Sequence, residues 1–288
     1  MKLAIGTAQF GMSYGVSNKY GQVSPDSAKE IINIAKKLGV DTVDTAIAYG
    51  NSESTLGYCD TKGVRIVTKI PKLPGNLHDP KEWVRQQVKE SLARCRKNNL
   101  YAVLMHSVDD LRTKDGTIIY DILKKLQYEG LIEKTGVSVY SPEQLEGVID
   151  QFKIDLVQIP LNPLDQRFES SGMLTQLNLR GIEIHVRSVF LQGLLLMPSA
   201  TLPKYFSKWS LQLEEWRLWA VSNNLSPLQA CIGHALSFDK IGRIVIGIEN
   251  TNQLREITSA FSGRKIRTPP CFSTEDVGLI NPSLWDNL

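Results

Sequence analysis

Short apolar runs alternate along the chain with longer segments whose apolar positions recur at helical spacing. This is how strands and helices alternate in a parallel α/β sheet or barrel. Leu3–Ile5 predicts a first strand. Ser24 and Pro25 then supply the N-cap and first-turn proline of a helix whose Ala28, Ile31, Ile32, Ala35 and Leu38 share one face, and Gly39 stops it. Val40–Val43 and Val64–Thr68 predict the next two strands, and Asp79-Pro80 opens a helix carrying Val84, Val88 and Leu92. Tyr101–Met105 is a fourth strand, and Ile119, Ile122, Leu123 and Leu126 mark a helix closed by Gly130. After a fifth strand, Ile132–Val139, Ser141 to Gln144 reads as a capping box. Leu156–Ile159, Ile182–Val186 and Ile244–Ile246 bring the count to about eight. Two helical patterns separate the last two strands, Trp209–Val221 and, from Ser226-Pro227, Leu228–Ser237, so one helix is extra to the simple repeat.

This order predicts an α/β fold, a single (β/α)8 TIM barrel over residues 1–288, with the barrel ending near residue 262 and a tail from 263 to 288. A closed barrel commonly takes about 250 residues as one domain, and no linker divides the chain. The competing open, doubly wound sheet calls for a glycine-rich dinucleotide turn after its first strand, and Gly6-Thr7-Ala8-Gln9-Phe10-Gly11 is not that turn. The 33 basic and 30 acidic residues are scattered, and the net charge of +3 forms no basic stripe, which argues against a nucleic-acid partner. No apolar run approaches the ~18 residues of a spanning helix, and the opening residues do not read as a signal peptide, so no membrane partner is expected. Cys59, Cys95, Cys231 and Cys271 lie far apart without metal-ligand spacing. They read as reduced thiols of a cytoplasmic protein holding no metal, a monomer or small homo-oligomer, with Cys95 packed on a helix's apolar face.

The chemistry lies at the strand ends. Asp44 follows the second predicted strand, Lys69 ends the third and His106 ends the fourth, so titratable groups from consecutive strands meet at the barrel's C-terminal mouth. Tyr49 sits in the loop after Asp44. A lysine and an aspartate at adjacent strand ends are costly in an apolar core unless they pair. A phenol with a pKa near ~10 is a poor acid, and a nearby ammonium lowers that value, so Lys69 can activate Tyr49 while Asp44 keeps Lys69 charged. A neutral His106 can hydrogen-bond a carbonyl oxygen beside the Tyr49 hydroxyl, and Tyr49 can protonate the alkoxide that hydride addition creates. Singly, Asp44 suits a turn, Lys69 a solvated strand end and His106 a satisfied core position. Independent structural roles do not predict their convergence.

At these residues the sequence resembles the aldo-keto reductase superfamily. GTAQFG at 6–11, DTAIAYGNSESTLG from Asp44, VTKI around Lys69, LMHS around His106, GVSVYS from Gly136 and VQIPLNP from Val157 are similar to that family's motifs in the same order, over about residues 1–262. The resemblance implies an NAD(P)H-dependent oxidoreductase with the tetrad Asp44, Tyr49, Lys69 and His106. It implies NADPH as cofactor, with NADH not excluded, and an aldehyde or ketone as substrate, sugar-type carbonyls included. It further implies that Ser138 and Gln158 hydrogen-bond the nicotinamide carboxamide, and that Asn162 lies near cofactor or substrate. Gly6, Thr7, Ala8, Asp44, Arg187, Ser188, Gly247, Glu249, Gln253 and Glu256 complete the implied cofactor site, although a solvated position on its helix suits Glu256 equally.

Two stretches depart from the family pattern. Where members usually present an aromatic ring after the seventh strand, His185 to Phe190 places Arg187. Arg187 can stack on the nicotinamide, favouring the reduced ring over the cationic oxidised one, or clamp an anionic substrate group. Where members commonly carry bases or serine for the adenosine 2'-phosphate, Ile246 to Gln253 has an acid and no base, with Arg243 and Arg255 flanking it. Two other readings stand beside the reductase: a lyase or aldolase forming a Schiff base on Lys69, against which Asp44 argues, and a subunit that binds nicotinamide nucleotide without turnover. The tail, with Trp285 and the basic Arg264, Lys265 and Arg267, either covers the mouth or packs on the barrel wall.

Overall fold

The apolar runs pair, each with the next, into a closed parallel barrel: β1 (Leu3–Gly6), β2 (Thr42–Asp44), β3 (Arg65–Ile70), β4 (Leu100–Met105), β5 (Ile132–Ser138), β6 (Leu156–Pro160), β7 (Glu183–Arg187) and β8 (Arg243–Gly247). Closure comes from β8 lying beside β1, with Leu3 opposite Ile244 and Gly6 opposite Gly247. The computed structural model describes residues 1–75 and 77–285. The last three residues of the expected tail lie outside them.

Most strands extend past the apolar run that announces them. β1, β2 and β7 end on Gly6, Asp44 and Arg187, because the backbone ladder continues where the side chains turn polar toward the mouth, whereas β5 stops at Ser138, one residue short of its expected end. The second strand starts later than expected. Gly39, at φ +81°, turns the chain, and Val40 N–H still closes onto Ala35 O at 2.9 Å, so Val40 finishes the preceding helix and β2 starts at Thr42.

The helices begin where the caps predict. Ser24 Oγ accepts from Ser27 N at 3.2 Å, Asp79 Oδ1 from Glu82 N at 3.0 Å and Ser226 Oγ from Gln229 N at 3.2 Å, each cap contributing about 1 kcal/mol. The helix Pro25–Lys37 buries Ala28, Ile31, Ile32 and Ala35, and Pro80–Cys95 buries Val84, Val88, Leu92 and Cys95. The capping signature at Ser141 opens only a 3-10 turn, Pro142–Leu145, because Gly147 at φ +75° interrupts it before the single turn Val148–Gln151. The extra helix is present: Ser210–Ser222 and Pro227–Leu236 both precede β8.

The core has two layers. The larger lies between the strands and the surrounding helices, while inside the barrel a small apolar plug of Val67, Ala102, Leu104 and Leu156 separates polar groups above from polar groups below. The tail starts at the lower face, where Lys265 pairs with Asp239 at 2.9 Å beside the Lys2 side chain. It climbs the helix Pro227–Leu236, with Ile266 N–H donating to Gly233 O at 3.2 Å and Thr268 N–H to His234 Nδ1 at 3.1 Å. Trp285 buries its ring edge-on to Phe206, centroids 4.9 Å apart. The tail therefore packs on the wall, and none of its described residues lines the cavity at the mouth.

Candidate active site

Backbone packing fixes the mouth before any reactive side chain is placed. A Cβ on Gly11 would stand 1.7 Å from Tyr49 O, and Gly50, at φ +53°, would put one 2.3 Å from Gly11 O. The loops after β1 and β2 therefore touch main chain to main chain, which holds the Tyr49 segment in place. Buried hydroxyls tie them again: Ser52 Oγ donates to Thr7 O at 2.8 Å, and Thr7 Oγ1 donates to Asp44 O at 3.0 Å. Thr7 thus lines the cavity while its side chain braces the loops.

Asp44 ends β2 and Lys69 lies one residue before the end of β3. Lys69 Nζ donates to Asp44 Oδ2 at 2.6 Å and to Thr45 O at 2.9 Å, with both side chains buried. The second carboxylate oxygen accepts from Gln158 Nε2 at 2.6 Å, which leaves Gln158 Oε1 buried without a partner. Tyr49 and His106 stand over this pair, rings edge to face with centroids 5.9 Å apart, and Lys69 Nζ lies 5.2 Å from the Tyr49 centroid. Asp44, Tyr49, His106, Ser138 and Gln158 line one cavity of about 470 Å³, with Gly6, Ala8, Arg187, Ser188, Gly247, Glu249, Gln253 and Glu256 also on its wall.

The electrostatics differ in one respect from the sequence expectation. Burial, and next the negative charge of Asp44, push the Tyr49 pKa up, with Arg187 opposing them. The two contacts of Lys69 hold its ammonium against Asp44 and Thr45, and burial draws its pKa below the ordinary lysine value while Asp44 opposes that. Tyr49 is therefore a neutral phenol carrying its proton. Burial, with help from Lys69 and Arg187, pulls the His106 pKa down to about 4, so its imidazole is neutral at physiological pH, as expected.

Three expected residues stand elsewhere or do other work. Asn162 is wholly buried and off the cavity wall; its Nδ2 donates to Ser188 O at 3.1 Å and its Oδ1 accepts from Leu164 and Asp165 N–H, so it fixes the loop in which Ser188 adopts φ +57°. Arg243 begins β8 at the opposite end of the barrel and pairs with Asp41 at 3.1 Å, and Arg255 is exposed on its helix. Neither lines the cavity. Sequence reasoning passed over Gln9, Tyr14, Tyr140 and Gln192, all on the wall. Gln9 sits within the GTAQFG run; its amide lies where a Cβ on Gly247 would come within 2.6 Å, and its buried Oε1 has no partner. Gln192 Nε2 donates to the Tyr14 hydroxyl at 3.2 Å across the mouth.

The residues present fit a nicotinamide. Gln158 Oε1 is a buried acceptor without a donor on a cavity wall, beside Ser138 and the Tyr49–His106 pair, which suits a carboxamide N–H. Among the described residues no cluster of side chains is arranged to hold a metal, and no helix is long and apolar enough to cross a membrane.

A model of the aldo/keto reductase family matches residues 2–267. Among solved structures, the holo form of an aldo-keto reductase from Bacillus halodurans is 19% identical, with a TM-score of 0.74 over 92% of this chain and 88% of that one. A glycerol dehydrogenase from Gluconobacter oxydans is 22% identical, with a TM-score of 0.69 over 91% and 87%. At such identities the likeness is one of fold. No curated protein sequence matches the chain.

Proposed function

The chain belongs to the aldo/keto reductase family, an oxidoreductase family, and from that premise we propose that it reduces an aldehyde or ketone to an alcohol at the mouth of the barrel, with Tyr49 as proton donor. The observation that carries the reading is the neutral Tyr49–His106 pair standing over the buried Lys69–Asp44 ion pair, next to the unpartnered Gln158 amide oxygen. A bound reduced nicotinamide supplies the hydride. The chain does the rest: Gln158 and Ser138 hold the carboxamide end, and His106 donates a hydrogen bond to the carbonyl oxygen. Tyr49 then delivers its proton to that oxygen as negative charge develops there. The raised Tyr49 pKa keeps the proton in place until the far more basic alkoxide forms. The same raised pKa makes the reverse reaction, oxidation of an alcohol, favoured by alkaline conditions.

Of the two dinucleotides, NADH suits the cavity better than NADPH. Glu249, Gln253 and Glu256 line the end formed by the helix after β8, and no lysine or arginine lies beside them on the wall. A 2'-phosphate there meets carboxylates and no counter-charge, whereas a free ribose diol can donate to Glu249 or Glu256. Titrating the protein with both reduced cofactors checks this, with tighter binding of NADH expected. The activity itself is tested by offering a panel of aldehydes and ketones with each reduced cofactor and following nicotinamide absorbance. Binding of cofactor without oxidation by any carbonyl would favour a subunit that binds nucleotide without turnover. Burial of Lys69 behind Asp44, off the cavity wall, counts against a Schiff base, and borohydride trapping of substrate on the protein would reverse that judgement.

A further inference from the structure

Arg187 is the cation at the reacting end of the cavity, whose carboxylates apart from Asp44 are Glu249 and Glu256, at the end formed by the helix after β8. It ends β7, half-buried, and is held in place on three sides: its guanidinium lies 4.2 Å from the centroid of the Tyr140 ring, Nη2 donates to Val139 O at 3.0 Å and Nη1 to Ser188 Oγ at 3.1 Å. None of the described carboxylates forms an ion pair with it. Asp165 is gripped by Arg167 through both oxygens at 2.8 Å, and Asp44 is engaged by Lys69 and Gln158. Glu249 accepts from Gln253 at the other end of the cavity. With Lys69 and Asp44 cancelling and His106 and Tyr49 neutral, the reacting end carries one uncompensated positive charge.

An arginine left unpaired in a half-buried cavity is costly unless an anion completes it, and its fork matches carboxylate or phosphate geometry. Two donors are engaged in fixing the side chain, and the rest of the fork remains. Tyr14 adds to the same wall, since its hydroxyl accepts from Gln192 and keeps its own proton to donate. We propose that Arg187, with Tyr14, forms a clamp for an anionic group on the carbonyl substrate, so that this chain acts on oxo-acids or phosphorylated aldehydes and ketones in preference to neutral carbonyl compounds. The influence of Arg187 on Tyr49, Lys69 and His106, each of whose pKa values it lowers, is consistent with a charge set close to the reacting atoms.

The inference rests on the carbonyl-reductase reading, and the test keeps the two apart. Wild-type protein with saturating reduced cofactor is assayed on matched pairs: 4-oxobutanoate against butanal for a carboxylate, and glyceraldehyde 3-phosphate against glyceraldehyde for a phosphate. The wild type should show a lower KM for the anionic member of at least one pair, and the pair that responds identifies the anion. Arg187→Gln and Arg187→Lys should each raise that KM by about tenfold to a hundredfold, the range set by losing a hydrogen bond to a charged group, and should raise KM for the neutral partner by much less. Butanoate and inorganic phosphate, titrated into the wild-type complex with cofactor and followed by calorimetry, give a readout that needs no turnover. Weakened anion binding in both variants supports the clamp even if neither pair is turned over. Equal loss of kcat on anionic and neutral partners would place Arg187 at the developing alkoxide and overturn the clamp. So would a weaker cofactor Kd in the variants with the substrate ratio unchanged, which would assign Arg187 to the nicotinamide.

Discussion

Both ends of this barrel hold charge inside the ring of strands, and they hold it differently. Below the apolar plug, Glu183 accepts from the Tyr101 hydroxyl at 2.6 Å and from His185 Nε2 at 2.8 Å and pairs with Lys134, while Arg243 grips Asp41. Among the described residues His185 Nδ1 is unpartnered there, and it does not line the cavity at the mouth. Above the plug, Lys69 and Asp44 form a more deeply buried pair. There the unpartnered Gln158 Oε1, the Tyr49 hydroxyl, His106 and Arg187 all face one cavity. Convergent titratable groups therefore do not by themselves mark a site. What distinguishes the upper end is hydrogen-bonding capacity left open toward a space that a ligand can enter.

The sharpest way to break this comparison is to remove a cation from the upper end. Lys69→Met leaves Asp44 buried without its partner and should cost roughly 3–5 kcal/mol of stability, together with nearly all turnover, as read by denaturant unfolding and by assay. Adding Asp44→Leu should restore much of the stability and none of the activity, because an apolar pair of similar volume serves a core as well as an ion pair does. Recovery of turnover in the double variant would mean that the pair is structural, like the charges below. Next in size, Tyr49→Phe should keep fold and cofactor affinity and lower kcat by about 10²-fold or more, the usual loss with a general acid. Near-normal turnover would remove Tyr49 from its role.

At the lower end the expected cost is in stability alone. Glu183→Gln should lower it by about 1–3 kcal/mol, since three donors lose a charged acceptor, with kcat per folded molecule unchanged. The hydrogen bonds from His185, Lys134 and Tyr101 outweigh burial and hold the Glu183 carboxyl well below its ordinary pKa of 4.5. Its contribution is accordingly present above that value and is lost as pH falls through the folded one. Wild type should lose stability in acid below about pH 4.5 more steeply than Glu183→Gln does. Parallel stability curves would show that the cluster is energetically silent.

The elements were legible because apolar periodicity and capping residues act locally. Ser24, Asp79 and Ser226 cap where they were expected to, and Asp44, Lys69 and His106 stand out as polar residues breaking or ending apolar runs. What was hidden depends on the closed ring or on loop backbone. Arg243 lies close in sequence to Gly247 and Glu249, yet one strand length carries it to the opposite face. Asn162 has the composition of a ligand-binding amide and instead braces Ser188. The activation of Tyr49 by Lys69 followed from proximity of charge, and Lys69 Nζ does lie 5.2 Å from the Tyr49 ring centroid, but the ammonium is held by Asp44 and Thr45, and burial with the Asp44 charge raises the phenol's pKa against the opposing charge of Arg187. No sequence pattern states which neighbour a donor will choose.

The smallest expected effect is a near absence of one. An ordinary histidine titrates near pH 6.5, and a proton donor or hydrogen-bonding group with that pKa would bend the pH profile of reduction in the middle of the physiological range. His106 is drawn down to about 4, by burial first and then by Lys69 and Arg187, while Tyr49 is raised above its ordinary value of 10.0. Neutral imidazole and neutral phenol therefore coexist from the acid limb at about pH 4 through to the alkaline range. Between pH 6 and 8, kcat/KM for a neutral carbonyl substrate should vary by less than about twofold, and Arg187→Gln should move the acid limb upward, because one of the charges that keeps His106 unprotonated is gone. A limb near pH 6.5 in the wild type would mean that His106 faces water, as an exposed group of the lower surface would, and would take it out of the site.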